Sequence, residues 1–442
     1  MSDTSADTFP PIVFVHGNGD TAALWLTTVW RFESNGWPRE RLQAIDMPCP
    51  LARDDDGVAQ PGRSSSDDAR QCVADAVEQA CRRHGVAQVV LIANSRGGFA
   101  VRNFIATGGA AQVSHAILGG TPNHGVWADA AFRPGNEFNG AGPFLQRLND
   151  QGDGSETTPG PRWMTVRSDG NDKYAQPDGL WIGAPGRPTG VDADSPALRG
   201  AHNVVIAGID HRETSFGPAA FDAMWRFLTG RAPASLQPTP SGGAIELSGN
   251  VSGLHPQAAV HDNLPLAGAT VEVHATDPAS GERVGAPLYR HAVGSDGTWG
   301  PLATDSRTPL EFVVSAPGHG TTHVYRSPFA RSSSLVHLRA MRLADVDADA
   351  DPAADPAADR EALSLVQLSR PRGYFGVPRD RILLDGHPPA GLPPGVAGLS
   401  LAAVKVTDTA GRAVAAEFNG ERIVGRAWPC AEGHVVLLEL HS

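Results

Sequence analysis

The stretch Leu91-Ile92-Ala93-Asn94-Ser95-Arg96-Gly97-Gly98-Phe99 decides the fold. An apolar run, Val89 to Ala93, leads into a serine with small neighbours, and a helical pattern from Gly98 to Thr107 follows. A strand that passes through one serine straight into a helix is a nucleophile elbow. The turn is strained, the two backbone segments come close, and only small side chains fit two residues to either side of the serine. Ala93 replaces the usual first glycine of the motif, one small residue for another. An ordinary turn would account for the serine but not for the strand before it and the helix after it.

The pattern around the elbow alternates. Short apolar runs at Ile12 to Val15, Arg41 to Asp46, Val89 to Ala93, His115 to Gly119, Trp163 to Arg167 and Asn203 to Ile206 read as strands. Ser66 to His84, led by Ser-Ser-Ser-Asp-Asp, has the cap and apolar spacing of an amphipathic helix, and Gly217 to Leu228 reads as another. Alternation of this kind predicts an α/β fold, a mostly parallel sheet with helices on both faces. After Arg231 the composition shifts. Pro233 to Gly243 is a Pro/Ser/Gly linker, and short β-type runs broken by Asp-Gly and Pro-Gly turns follow, the pattern of an all-β sandwich or barrel region. The expected division is a catalytic domain at 1–232, a linker at 233–243, a β-sandwich at 244–343, an acidic Ala/Asp/Pro linker at 344–361 and a second β unit at 362–442 that completes the C-terminal domain. Asp345, Asp347 and Asp349 imitate the start of a calcium loop. Ala350 and Pro356 occupy its glycine and glutamate positions, so a solvated linker is expected there instead.

Composition excludes several functions. With 48 acidic and 36 basic residues the 442-residue chain carries a net charge of −12, which disfavours nucleic acid and anionic membrane surfaces. No apolar run approaches the roughly 20 residues of a membrane span, so no integral membrane association is expected. Met1 to Phe9 lacks the basic and apolar regions of a signal peptide, which predicts a cytoplasmic chain as written, or a secreted one had a leader been removed. Four cysteines make no disulfide framework, and none has metal-ligand spacing. Free thiols are expected, with Cys49 to Cys72 as the only pairing considered.

A serine needs a histidine to take its proton and a carboxylate to orient that histidine. In elbow-type enzymes the acid and the histidine follow the serine in the chain, on loops after the last strands. Of 16 histidines, His211 in Ala207-Gly208-Ile209-Asp210-His211 follows the last apolar strand and precedes the last helix, whereas His202 sits at the wrong end of that strand. The acid lies in Ser168-Asp169-Gly170-Asn171-Asp172, or further on at Asp178. Val15-His16-Gly17-Asn18-Gly19-Asp20, directly after the first strand, can aim backbone N–H groups at a developing oxyanion. The N–H groups of Asn18 and Arg96 are the expected pair, with His16 fixing the loop.

These residues resemble an α/β-hydrolase-fold serine lipase or esterase with a C-terminal β domain, the two-domain archaeal-type lipase above all. The resemblance is carried by Val-His-Gly-Asn-Gly at 15–19, Phe-Glu-Ser-Asn-Gly-Trp-Pro at 32–38, Asn-Ser-Arg-Gly-Gly at 94–98, Gly-Thr-Pro-Asn-His-Gly at 120–125 and His211. In the β region it is carried by Pro-Leu-Ala-Gly-Ala-Thr-Val-Glu-Val at 265–273 and His-Val-Tyr-Arg-Ser-Pro-Phe-Ala-Arg at 323–331. It implies a catalytic triad of Ser95, Asp172 and His211, with Asp169 next in line for the acid. The archaeal-type relative places its acid one strand earlier, where this chain has Gly119-Gly120, so Asp172 follows from the wider fold. Two departures stand out: Asn94 where the family has histidine, and the short polar segment Cys49 to Ser65 where it has a helical lid. The resemblance implies hydrolysis of apolar acyl esters, glycerides or aliphatic polyesters, with no metal or organic cofactor and a β region that covers the acyl pocket. The alternative is a non-catalytic glycan- or polymer-binding protein on the same fold. Nothing in the sequence fixes the oligomeric state.

Overall fold

The computed structural model describes residues 9–258, 260–341, 364–407 and 411–442. The acidic linker, with Asp345, Asp347 and Asp349, lies outside the described residues. The chain divides into two compact units, one of residues up to Pro238 together with His255–Asn263, the other of Thr239–Leu254 and Leu264–Ser442.

The first unit is built on strands β1 (Ile12–Val15), β2 (Leu42–Ile45), β3 (Leu51–Ala52), β4 (Arg63–Ser64), β5 (Val89–Asn94), β6 (Val113–Gly119), β7 (Arg162–Ser168) and β8 (His202–Ile206). Its helices are α1 (Leu26–Ser34), α2 (Ser66–His84), α3 (Arg96–Ala106), α4 (Pro143–Asn149), α5 (Glu213–Phe216) and α6 (Pro218–Thr229). Six strands form one sheet in the order β2-β1-β5-β6-β7-β8, and every neighbouring pair is parallel. The β5 residues are all buried, as a central strand covered on both faces requires.

Side-chain alternation assigns the faces. Val13, Val15, Leu91 and Ala93 point to one side, into a core with Val73, Val77 and Ala80 of α2 and Val101 and Ile105 of α3. Phe14 points to the other, where it meets Trp25 at 5.1 Å and Phe32 at 5.8 Å, and Phe32 in turn meets Phe221 of α6 at 5.2 Å. Helix α2 starts where Ser65 caps it: the Ser65 hydroxyl accepts from Asp68 N–H and the Asp68 carboxylate accepts from Ser65 N–H. It stops at Gly85, whose φ of 64° the left-handed turn demands. The motif at 32–38 closes this unit: Asn35 Oδ1 accepts from the backbone of Ala234 and Ser235, at 2.7 and 3.0 Å, and holds the chain as it leaves α6.

The second unit is β throughout its described residues, apart from one 3-10 turn at Cys430–Glu432. A seven-stranded sheet runs in the order Arg283–Ala292, Thr270–Thr276, Leu310–Ser315, Thr321–Arg326, His434–Glu439, Ser364–Ser369, Leu401–Val406. Only the two pairings made by His434–Glu439 are parallel. Strands from either side of the acidic linker therefore share one sheet. Two three-stranded sheets complete the unit, and Val366, Leu368, Val414, Phe418, Val436 and Leu438 are part of its core.

Candidate active site

Ser95 is the hinge between β5 and α3, and its backbone is at φ 51°, ψ −124°. A β-carbon pays for positive φ with steric strain, so the surroundings must hold it there. They do: Ser95 N donates to Gly119 O at 2.9 Å, and Ser95 O accepts from Gly98 N at 2.9 Å and from Thr121 Oγ1 at 3.0 Å. The small neighbours are obligatory. A Cβ on Gly97 would stand 2.6 Å from the carbonyl oxygens of Val15 and His16, and one on Gly98 would strike Thr121 Oγ1 at 2.0 Å. Sheet order thus explains both the glycines after the serine and the Gly-Thr pair at 120–121.

His211 and Asp172 come together from the loops after β8 and β7. His211 Nδ1 lies 2.9 Å from both Asp172 oxygens, and each residue is only 2% exposed. Asp172 Oδ1 also accepts from Tyr174 N at 2.8 Å, and the Tyr174 ring stands edge-on to the imidazole at 4.7 Å. A carboxylate at Nδ1 puts the proton on Nδ1 and leaves the Nε2 lone pair free. His211 Nε2 is buried and makes no hydrogen bond among the described residues, nor does Ser95 Oγ bond to it. Contacts between nucleophile and base commonly stay long until substrate draws them together. Gly120, after β6, lies against the histidine loop: a Cβ there would be 2.8 Å from His211 O and 3.1 Å from Nδ1.

The other two aspartates bond to backbone, Asp169 across to the loop that carries His211 and Asp178 within its own turn. Asp169 Oδ1 accepts from Gly208 N at 2.8 Å, and Asp178 Oδ1 accepts from Leu180 N at 3.1 Å. His202 is the first residue of β8, at the opposite end of that strand from His211.

The loop after β1 abuts the elbow, since a Cβ on Gly17 would stand 2.9 Å from Ser95 Cβ. His16 Nδ1 donates to Gly17 O at 2.9 Å and its Nε2 accepts from Met47 N at 3.0 Å, so both ring nitrogens are engaged in holding the loop. Burial pulls its pKa down and keeps the ring neutral. Asn18 Oδ1 accepts from Ala52 N at 2.7 Å, and Gly19 N donates to Pro50 O at 3.2 Å.

Several side-chain contacts of the site gave no signal in the sequence. The Arg96 side chain is wholly buried, forms an ion pair with Glu137, and donates to Ser64 Oγ and to the carbonyls of Pro50, Ser64 and Ser65. The segment Cys49 to Ser65 is thereby pinned to the residue after the serine. Asn94 Nδ2 donates to Ser215 Oγ at 2.8 Å and Gly119 O at 3.2 Å, and it reaches His211 O at 3.5 Å. Arg212 Nη2 pairs with Asp20 Oδ1 at 2.5 Å, joining the histidine loop to the loop after β1. Lys173 lies over the rings of Tyr174 and Trp181, and burial, with Arg212 next in weight, lowers its pKa to about 7. The four cysteines are free and half-buried.

A parallel sheet flanked by helices, with a strained serine between its central strand and the next helix, defines an α/β-hydrolase fold. Residues 243–343 match the family model of the lipase C-terminal domain. No curated protein matches the chain. Among solved structures, the mature form of the Bacillus licheniformis lipase BlEst2 is 22% identical with a TM-score of 0.36, over 52% of this chain and 94% of its own. Its propeptide form is 16% identical with a TM-score of 0.37, over 97% of this chain and 93% of its own. Phospholipase PlaB from Legionella pneumophila is 12% identical with a TM-score of 0.34, over 75% of this chain and 94% of its own. These superpositions are loose, and the fold rests on strand order and the elbow.

Proposed function

We propose that the chain is a serine carboxylic-ester hydrolase with Ser95 as nucleophile, His211 as general base and Asp172 as its orienting acid. The observation that carries this reading is the Asp172–His211 pair, two contacts of 2.9 Å, buried in the same unit as a serine held at φ 51°. Ser95 Oγ attacks the ester carbonyl carbon while His211 Nε2 takes its proton. The N–H groups of Asn18 and Arg96 receive the negative charge that develops on the carbonyl oxygen. The imidazolium then protonates the departing alcohol, leaving an acyl-Ser95 ester. Water, deprotonated by the same imidazole, releases the carboxylic acid and restores the serine. Asp172 stays ionised throughout and stabilises the imidazolium. Side chains and backbone amides suffice for every step.

The expected substrates are apolar acyl esters, from soluble aryl esters to glycerides and aliphatic polyesters. The lipase C-terminal domain match at 243–343 supports the lipid side of that range. Ser95→Ala in the intact chain tests the reading. Loss of the nucleophile costs on the order of 10⁴ to 10⁶ in kcat with folding unchanged. Activity above about 10% of the parent would remove Ser95 from the role. Esters of graded acyl length then separate short-chain esterase from lipase behaviour.

A further inference from the structure

The segment His255–Asn263 is bracketed in sequence by strands of the second unit, Ile245–Ser252 and Thr270–Thr276, yet it belongs to the compact body of the first. Within that body it ends on Asn263, whose side-chain amide donates to Asp20 O at 2.9 Å and to Met47 O at 3.0 Å, while its backbone N donates to Pro48 O at 2.9 Å. The other end of the same amide, Oδ1, is buried without a partner. A buried acceptor left unpaired is unfavourable, so this amide is a poor choice for stability alone. Nearby, the segment lies on Gly62, where a Cβ would stand 2.6 Å from Val260 Cγ2.

Both carbonyls that Asn263 grips belong to the scaffold of the loop after β1. Met47 N is the donor that fixes His16, and Asp20 ends the loop, with its own N–H on Gly17 O at 3.3 Å and its carboxylate on Arg212. Arg212 follows His211 directly in the chain. Asp20 is therefore a hub with two anchors, one to the histidine loop through its carboxylate and one to the returning segment through its carbonyl.

We propose that Asn263 is a positioning residue of the hydrolase site: it holds Asp20 and Met47 so that the Asn18 amide and His211 keep a fixed spacing around Ser95. This rests on the proposed ester hydrolysis. The oxyanion develops only along the reaction, in the tetrahedral intermediate and the transition states on either side of it, so misplacing its donors lowers kcat and leaves ground-state binding alone. A displacement of the order of 1 Å costs about 10²-fold in rate.

The test uses the full chain carrying Asn263→Ala and, separately, Asn263→Asp, which keeps the shape but turns the two donors into acceptors. Steady-state kinetics on p-nitrophenyl butyrate are compared with inhibition by an alkyl boronic acid, whose tetrahedral adduct on the serine imitates the transition state, and with the thermal midpoint. The expected result is a kcat fall of about 10-fold to 100-fold, KM within 3-fold, a boronate Ki raised in proportion to the kcat loss, and the larger effect in Asn263→Asp. If the parent is active and Ser95→Ala is dead, but both variants keep kcat within 2-fold, the positioning role is wrong and ester hydrolysis stands. A kcat loss that leaves the boronate Ki unchanged also overturns the role. A Ser95→Ala protein that still turns over overturns ester hydrolysis at Ser95 itself.

Discussion

Asp169 and Asp172 lie on one loop, and what distinguishes them is where their carboxylates point. Asp172 faces His211 Nδ1 with both oxygens, whereas Asp169 accepts a backbone N–H from Gly208. Asp172→Asn is therefore expected to lower kcat by about 10⁴-fold, because an amide there stabilises the wrong imidazole tautomer. Asp169→Asn should cost less than about 10-fold, because the amide Oδ1 can still accept from Gly208 N on the histidine loop. Paired kinetics on one soluble ester decide it, and the reverse ranking would move the orienting role to Asp169. The residue pattern narrows the acid to this loop, and the choice of Asp172 over Asp169 comes from the resemblance to related lipases, since side-chain direction after a turn is not written in the local pattern. His211 was easier to find, because its position after the last strand and before the last helix is a matter of chain order. Asn263 gave no signal at all: its partners are backbone carbonyls more than two hundred residues away, and a carbonyl looks the same in every residue.

The parts around Ser95 make separable demands. Gly97 faces the carbonyls of Val15 and His16, backbone atoms that cannot swing aside, so Gly97→Ala should cost about 1–3 kcal/mol or more and distort the elbow. A denaturation midpoint equal to the parent's, with full activity, would mean that β1 and α3 are further apart than described. Arg96 tests the pinning of Cys49 to Ser65. Arg96→Met strands Glu137 as an unpaired buried carboxylate, for a cost of about 3–5 kcal/mol. Adding Glu137→Leu should recover part of that loss, though not all, because the carbonyls of Pro50, Ser64 and Ser65 stay unsatisfied. A double variant less stable than the single one would contradict the pairing. The positions of the main-sheet strands, the elbow and the span of α2 could be read from periodicity and capping residues, whereas the order of the strands in the sheet could not. Helices α1 and α4 could not: α1 carries Thr27, Thr28 and Arg31 at buried positions, so its apolar stripe is broken, and α4 is only seven residues long.

The intact chain should lose stability in mild acid. Burial lowers the pKa values of His16 and His441 below the 6.5 of an unfolded histidine. Above that pH both states are neutral and the stability is fully present. As pH falls through 6.5 the unfolded chain binds protons that the folded one refuses, and stability is lost. Urea midpoints at pH 7.5 and 5.5 should therefore differ, with the lower value in acid and a smaller gap in His16→Gln; equal midpoints would mean these rings are not buried neutral. A chain ended after Gln237 keeps Ser95, Asp172 and His211 but lacks the three hydrogen bonds of Asn263, and should unfold at lower urea than the first unit of the full chain. The return of His255–Asn263 to the first unit could not be read from local patterns, and the completion of the β domain across the acidic linker could be expected only without its strand pairings, which are long-range. The most direct test of the central claim is covalent: treat the folded, full-length protein with a fluorophosphonate, weigh it intact, and map the adduct by peptide mass. One phosphonyl group per chain, on Ser95 and absent from Ser95→Ala, is the result predicted by a serine nucleophile activated by His211. A protein that stays unlabelled, or takes the label on another residue while hydrolysing esters, would contradict it.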